Sequence, residues 1–107
     1  MTDRVSQHIA AFNDSIDTGD WGRFTDRFAP DATMSFVGVP AGPFRGRAAI
    51  AAAYLAQPPT DWMSVANVLS SGDVDTVAFR WKSGGTGTMT LTWDGELVAD
   101  LVVAFDD

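Results

Sequence analysis

The chain has no cysteine, and among its 107 residues there is one histidine and one tyrosine. Without cysteine there is no disulfide framework, no thiolate nucleophile and no Cys-type zinc site. The single histidine, His8, has no acidic partner at ligand spacing, so no metal centre is expected. Positive charge is also scarce: 7 Lys and Arg stand against 14 Asp and Glu, for a net charge of -7. The basic residues are scattered, which disfavours a phosphate backbone as partner and gives no polybasic anchor for a membrane surface. No run reaches the roughly 18 apolar residues of a membrane span. The opening Met-Thr-Asp-Arg lacks the apolar core of a secretory signal. There are no repeats, low-complexity tracts or linker-like segments. The expectation is one cytoplasmic domain over residues 1–107, with no nucleic acid, no membrane and no cofactor.

What is present is apolar and patterned: 46% of the chain is hydrophobic and 11% aromatic, a globular composition. Val5, Ile9, Phe12 and Ile16 recur at helical spacing, predicting an amphipathic helix over residues 3–17. Thr18-Gly19 supplies its stop. Asp20 suits the N-cap of a short second helix whose apolar face is Trp21, Phe24 and Phe28, ended by Pro30-Asp31. Residues 32–37 read as a first strand, and the Pro- and Gly-rich stretch 38–43 as a loop. Residues 47–57 are alanine-rich with Ile50, Tyr54 and Leu55, a third helix stopped by Pro58-Pro59. Thereafter the period changes. Met63 to Leu69, Val74 to Lys82, Thr86 to Trp93 and Leu97 to Phe105 are strand-like. Ser71-Gly72-Asp73, Ser83-Gly84-Gly85 and Asp94-Gly95 mark tight turns between them. Helices first and hairpins later predict an α+β fold with the helices on one face of the sheet.

Several residues invite a chemical reading. Asp100 interrupts the apolar run from Leu97 to Phe105. Facing inward it would be desolvated and could act as a base or hydrogen-bond donor. Facing outward it would be solvated or paired with Arg80 or Lys82. Tyr54 is the only phenol. His8 reads as out of phase with the apolar stripe, which places it on a solvated helix face. Ser35 and Ser64 lie on strands without a nucleophile elbow. Gly84-Gly-Thr-Gly lies between strands and reads as a turn, not a phosphate cradle.

Five phrases in order carry a resemblance: Asp17-Thr-Gly-Asp-Trp, Phe28-Ala-Pro-Asp-Ala-Thr, Phe44-Arg-Gly-Arg-Ala-Ala-Ile, Val77-Ala-Phe-Arg-Trp and Trp93-Asp-Gly-Glu-Leu. Together with the element order, they make the chain resemble the nuclear-transport-factor-2-like superfamily, in particular its SnoaL-like and ketosteroid-isomerase-like members. The resemblance implies a cystatin-like roll: a cone-shaped, curved antiparallel sheet packed on three N-terminal helices, enclosing a small-molecule pocket. It also implies where isomerase chemistry would sit. The base falls at Phe36, the first-helix Tyr at Phe12 and the protonated Asp at Met89, so the isomerase set is absent. The second Tyr of that site is retained as Tyr54. The limonene-epoxide-hydrolase branch fares no better: Arg80 is in place, but its partner carboxylates fall at Lys82 and Val103.

The function expected from the resemblance is binding of an apolar, ring-containing small molecule, or a cofactor-independent isomerase, cyclase or lyase step on one. Catalysis would rest on Asp100 and Tyr54. The wall of the pocket would be Phe12, Met34, Phe36, Trp62, Met63, Met89 and Trp93. The alternative is a non-catalytic dimerisation or protein-interaction module. A homodimer is expected, joined through the outer sheet face with Phe79 and Trp81 contributing to that face.

Overall fold

The computed structural model describes residues 3–106. The first helix, α1 (Arg4–Thr18), begins where the Asp3 side chain accepts a hydrogen bond from the Ser6 N–H at 2.7 Å, satisfying one of the orphan donors of a helix start. It ends at Gly19, whose φ of 76° lets its N–H reach the Ser15 carbonyl at 2.8 Å. The second helix, α2 (Gly22–Thr25), is only four residues long. Asp20 accepts from the Gly22 N–H at 2.9 Å and so braces its start.

Phe28 does not continue that helix. It opens the strand β1 (Phe28–Val37), so the first strand starts four residues before the expected 32–37. Pro30 and Asp31 are inside the strand instead of ending a helix. The strand can carry a proline because its pairing skips from Phe28 to Thr33, leaving no ladder donor required at Pro30. A two-residue strand, β2 (Phe44–Arg45), follows the Pro- and Gly-rich loop at residues given no element from the sequence, and pairs back onto Thr33 and Met34. The third helix, α3 (Arg47–Ala56), follows directly. It is tied to β1 by the Arg47 Nε–H, which donates to the Phe28 carbonyl at 2.8 Å.

Four strands complete the chain: β3 (Met63–Ser71), β4 (Val74–Trp81), β5 (Thr86–Asp94) and β6 (Leu97–Phe105). The six strands form one open sheet in the order β2-β1-β6-β5-β4-β3. Neighbours are antiparallel except β1 and β6, which run parallel. The fold is thus the expected α+β roll, with one parallel pair inside it. Extra residues at Ala66 and Ala99 shift the β3–β4 and β5–β6 registers. Bulges of this kind sharpen strand bend and twist, and they curve the sheet around the helices. The free edge at β3 is held by α1: Asn13 donates from Nδ2 to the Met63 carbonyl and accepts the Met63 N–H, both at 2.8 Å.

Strand alternation divides the sheet into a buried concave face and a more open convex one. Val77, Phe79, Met89, Leu91, Leu101 and Val103 are buried on the concave face. At Gly87 the strands approach so closely that a Cβ would clash with the Phe79 ring and lie 2.7 Å from the Ala104 carbonyl oxygen. Glycine is what lets the Phe79 side chain lie across the sheet there. Phe79 is therefore fully buried and Trp81 turns the same way, against Phe12 at 6.1 Å between centroids. The expectation that these two aromatics face outward fails for this reason. The convex face is instead built from small side chains such as Thr76, Ala78, Thr88, Thr90, Val102 and Ala104.

Candidate functional site

Between the helices and the concave sheet lies a cavity of about 220 Å³. Its wall is almost entirely apolar: Phe12, Phe24, Phe36, Met63, Trp81, Met89, Leu101, Val103 and Phe105 contribute, with Pro59 at the rim. Three lining residues carry side-chain nitrogen or oxygen: His8, Tyr54 and Trp81, whose indole N–H is a donor. Against the Phe24 ring, His8 lies 4.9 Å and Tyr54 5.1 Å away, so the two polar rings are within about 10 Å of each other.

Helix geometry positions both. Val5, His8, Ile9, Phe12 and Ser15 are the buried residues of α1, a single stripe at helical spacing. His8 is therefore in phase with the core, three residues beyond Val5 and four before Phe12. The reading of a solvated helix face is corrected: His8 is 2% exposed. Its Nδ1 is sealed from solvent and has no hydrogen-bond partner. Burial pushes its pKa down to about 3, and the positive charge of Arg27 adds to the effect. At neutral pH the ring is uncharged.

Tyr54 comes from α3, where Ile50 one turn earlier is fully buried. Its ring stacks on Trp21 at 4.9 Å with planes 13° apart. Burial raises its phenol well above the ordinary range, so it keeps its proton. It forms part of the cavity wall and also of a second, adjoining cleft of about 230 Å³. Phe36, Pro59 and Phe105 are shared by the two spaces in the same way. The Phe36 and Phe105 rings are parallel, 5° apart in plane and 6.1 Å between centroids, and Phe105 is 43% exposed. This pair separates an inner chamber from an outer one near the surface.

The residues named from the sequence divide accordingly. Phe12, Phe36, Met63, Met89 and Tyr54 meet at the inner cavity. Met34 is 2% exposed and lines the outer cleft instead. Trp62 is a surface residue, 42% exposed, with its indole N–H donating to Asp17 Oδ1 at 2.9 Å and Lys82 Nζ 5.7 Å from its ring centre. Trp93 is buried away from the cavity wall and donates its indole N–H to Asp75 Oδ2 at 2.9 Å. Asp100 is likewise outside. It pairs in register with Thr92 and Thr33, while its neighbour Leu101, 2% exposed, takes the inward position. The bulge at Ala99 keeps both Val98 and Leu101 inward and leaves Asp100 on the convex face. No carboxylate lines the cavity among the described residues, and no group of three or more His, Cys, Asp or Glu is placed to hold a metal ion.

Helices packed in the concavity of an open, curved six-stranded sheet define the class, the cystatin-like α+β roll. The chain belongs to the SnoaL-like domain family, whose sequence profile matches residues 5–106. No curated protein matches it in sequence. Solved structures match its fold at low identity. A SnoaL-like protein of unknown function from Burkholderia thailandensis superposes with a TM-score of 0.77 at 16% identity, over 97% of this chain and 95% of the other. A candidate ketosteroid isomerase from Kribbella flavida gives 0.75 at 17%, over 97% and 78%. A candidate polyketide cyclase from Sinorhizobium meliloti gives 0.70 at 18%, over 95% and 99%. At these identities the likeness concerns the fold. No described helix is long and apolar enough to cross a membrane.

Proposed function

We propose that this protein binds a small, uncharged, ring-containing compound in the chamber between α1, α3 and the sheet. The observation that carries the reading is the chamber's lining, apolar except for one neutral imidazole, one protonated phenol and the indole N–H of Trp81. Ligand sites are of this kind, predominantly apolar with a few placed polar groups. The inner chamber suits one or two fused rings, and with the outer cleft the space reaches roughly 450 Å³, within the ~300–1,000 Å³ of small-molecule sites. Tyr54, which lines both, is the proposed ligand anchor.

Binding is favoured over the isomerase or cyclase chemistry that two neighbours' names carry. Such a step needs a positioned base. Phe36 and Met89 offer none, Asp100 is on the convex face, and an imidazole with a pKa of about 3 is a weak one. The same proposal includes a homodimer through the convex face, whose small Ala78, Val102 and Ala104 side chains leave it flat enough for a twofold contact. Light scattering at tens of micromolar is expected to give twice the 11.4 kDa chain mass; a monomer mass would overturn that part.

Naphthalene is the simplest probe of the site. Titration followed by amide NMR is expected to saturate, with shifts gathered at Phe12, Phe36, Tyr54, Met89 and Phe105. Absence of saturable shifts, or shifts confined to other surfaces, would overturn the assignment.

A further inference from the structure

The cavity contains a polar group that the apolar wall does not explain. An apolar ring would serve at His8 if packing were its only role, because its neighbours are the rings of Phe24, Phe28 and Trp93 at 4.9, 6.0 and 6.4 Å between centroids. A buried polar atom left without a partner costs about 1–3 kcal/mol, and Nδ1 of His8 is in that state.

A neutral imidazole has one N–H and one acceptor nitrogen. Placing the proton on Nδ1 would strand a donor in a sealed position. Placing it on Nε2 leaves Nδ1 as the bare acceptor and gives the donor to the other nitrogen of a ring that lines the cavity. Arg27, the charged neighbour, points the same way. Its positive charge disfavours a second proton on the ring, and one of its own nitrogens donates to Gln7 Oε1 at 3.0 Å. The chamber therefore offers donors and no fixed negative charge. Arg27 is not among the lining residues, so a ligand carboxylate would find no cation there and would be buried unpaired.

We propose that His8 is the specificity-determining residue of this cavity: its Nε2–H donates to a carbonyl oxygen of the ligand, so the site selects uncharged ring ketones or related carbonyl compounds over hydrocarbons of the same shape and over carboxylates. The inference rests on the reading of the chamber as a ligand site, and its test separates the two.

Three bicyclic probes suffice: 2-acetylnaphthalene, its hydrocarbon counterpart 2-isopropenylnaphthalene, and 2-naphthoate. The ketone is expected to bind about threefold to tenfold more tightly than the alkene, the range of one net hydrogen bond, with naphthoate weakest. In His8→Phe the alkene should still bind and the ketone's advantage should shrink to what the Tyr54 hydroxyl supplies. Because His8 is the only histidine, its ring nitrogens can be read without assignment by nitrogen-15 NMR of the wild-type protein. That measurement keeps the test open if the variant does not fold. The Nε2–H tautomer is expected, with its signal moving on addition of ketone and not of alkene. Equal binding of ketone and alkene, preference for naphthoate, or an Nδ1–H tautomer would overturn the role of His8 while leaving the ligand site standing. Failure of all three probes to bind would overturn the ligand site and this role together.

Discussion

Two aromatic regions of the molecule lie side by side and treat their polar atoms in opposite ways. Around Trp93, each polar atom described has a partner. Asp75, though only 6% exposed, accepts from the Trp93 indole N–H and from the Ser70 hydroxyl, and the Arg4 guanidinium sits 5.0 Å over the Trp93 ring. One ring further in, 6.4 Å from Trp93, His8 has a sealed nitrogen with no partner. The first region has the marks of structure, a satisfied buried network that specifies one arrangement. The second has an empty space beside an unsatisfied group, a combination that packing alone does not favour. Burial and aromatic content do not tell the two apart; hydrogen-bond satisfaction does.

The comparison can be broken most forcefully at Trp93. Trp93→Ala removes a large buried side chain and the donor to Asp75 Oδ2, and should destabilise by about 3–5 kcal/mol, read as a lower midpoint in urea. A loss below 1 kcal/mol would mean that the Trp93 region is not the structural one. Acid sharpens the other side. The folded His8 has a pKa of about 3 against 6.5 when free. Between those values the unfolded chain takes up a proton that the folded one refuses. This contribution makes stability fall as pH drops from about 6.5 toward 3, by up to about 1.4 kcal/mol per pH unit, and leaves it flat above. Subtracting the His8→Phe profile from the wild-type profile should isolate that slope. Parallel profiles would show that His8 is not buried neutral.

Smaller effects follow at the cavity itself. Tyr54→Phe removes a hydroxyl that has no hydrogen-bond partner among the described residues, so stability should stay within about 0.5 kcal/mol of wild type, while affinity for 2-acetylnaphthalene is expected to fall. Unchanged ketone affinity would remove Tyr54 from the site. Asp100→Asn, on the convex face, should leave ligand affinity unchanged. A clear loss of binding would mean that β6 turns the other way.

The scaffold was largely legible because its signals are local and redundant. The apolar stripe of α1, the alanine run of α3 and the Asp94-Gly95 turn each correspond to an observed element, and Gly95 has the positive φ of 61° that such a turn requires. What escaped was set by distant partners. Pro30 reads as a helix stop until the gap in the β1–β6 pairing is known. Phe44 and Arg45 are too few to show a period. The resemblance assigned family-site positions to Phe12, Phe36, Met89 and Tyr54, all of which line the inner cavity. His8 could have been found from spacing alone, since Val5, His8 and Phe12 share one helix face; its polarity hid it. Asp100 could not be oriented, because parity along a strand says which residues share a face but not which face is inside. Trp62 and Trp93 show the same limit for large aromatics.

The placement of β6 bears on how the chain reaches this state. β6 is the last strand in sequence but sits in the interior of the sheet, between β1 and β5. Strands β3, β4 and β5 can form as successive hairpins, using neighbours close in sequence. β1 and β2 have no other edge to join, and Thr33 must find Asp100 across most of the chain. Closing so long a loop is the slow kind of step in folding. Until β6 pairs with β1, the concave face of the other strands and the apolar side of α1 are expected to lack part of their cover. The cavity walls drawn from α1, β1, α3 and β6 are therefore expected to come together only when the sheet is complete.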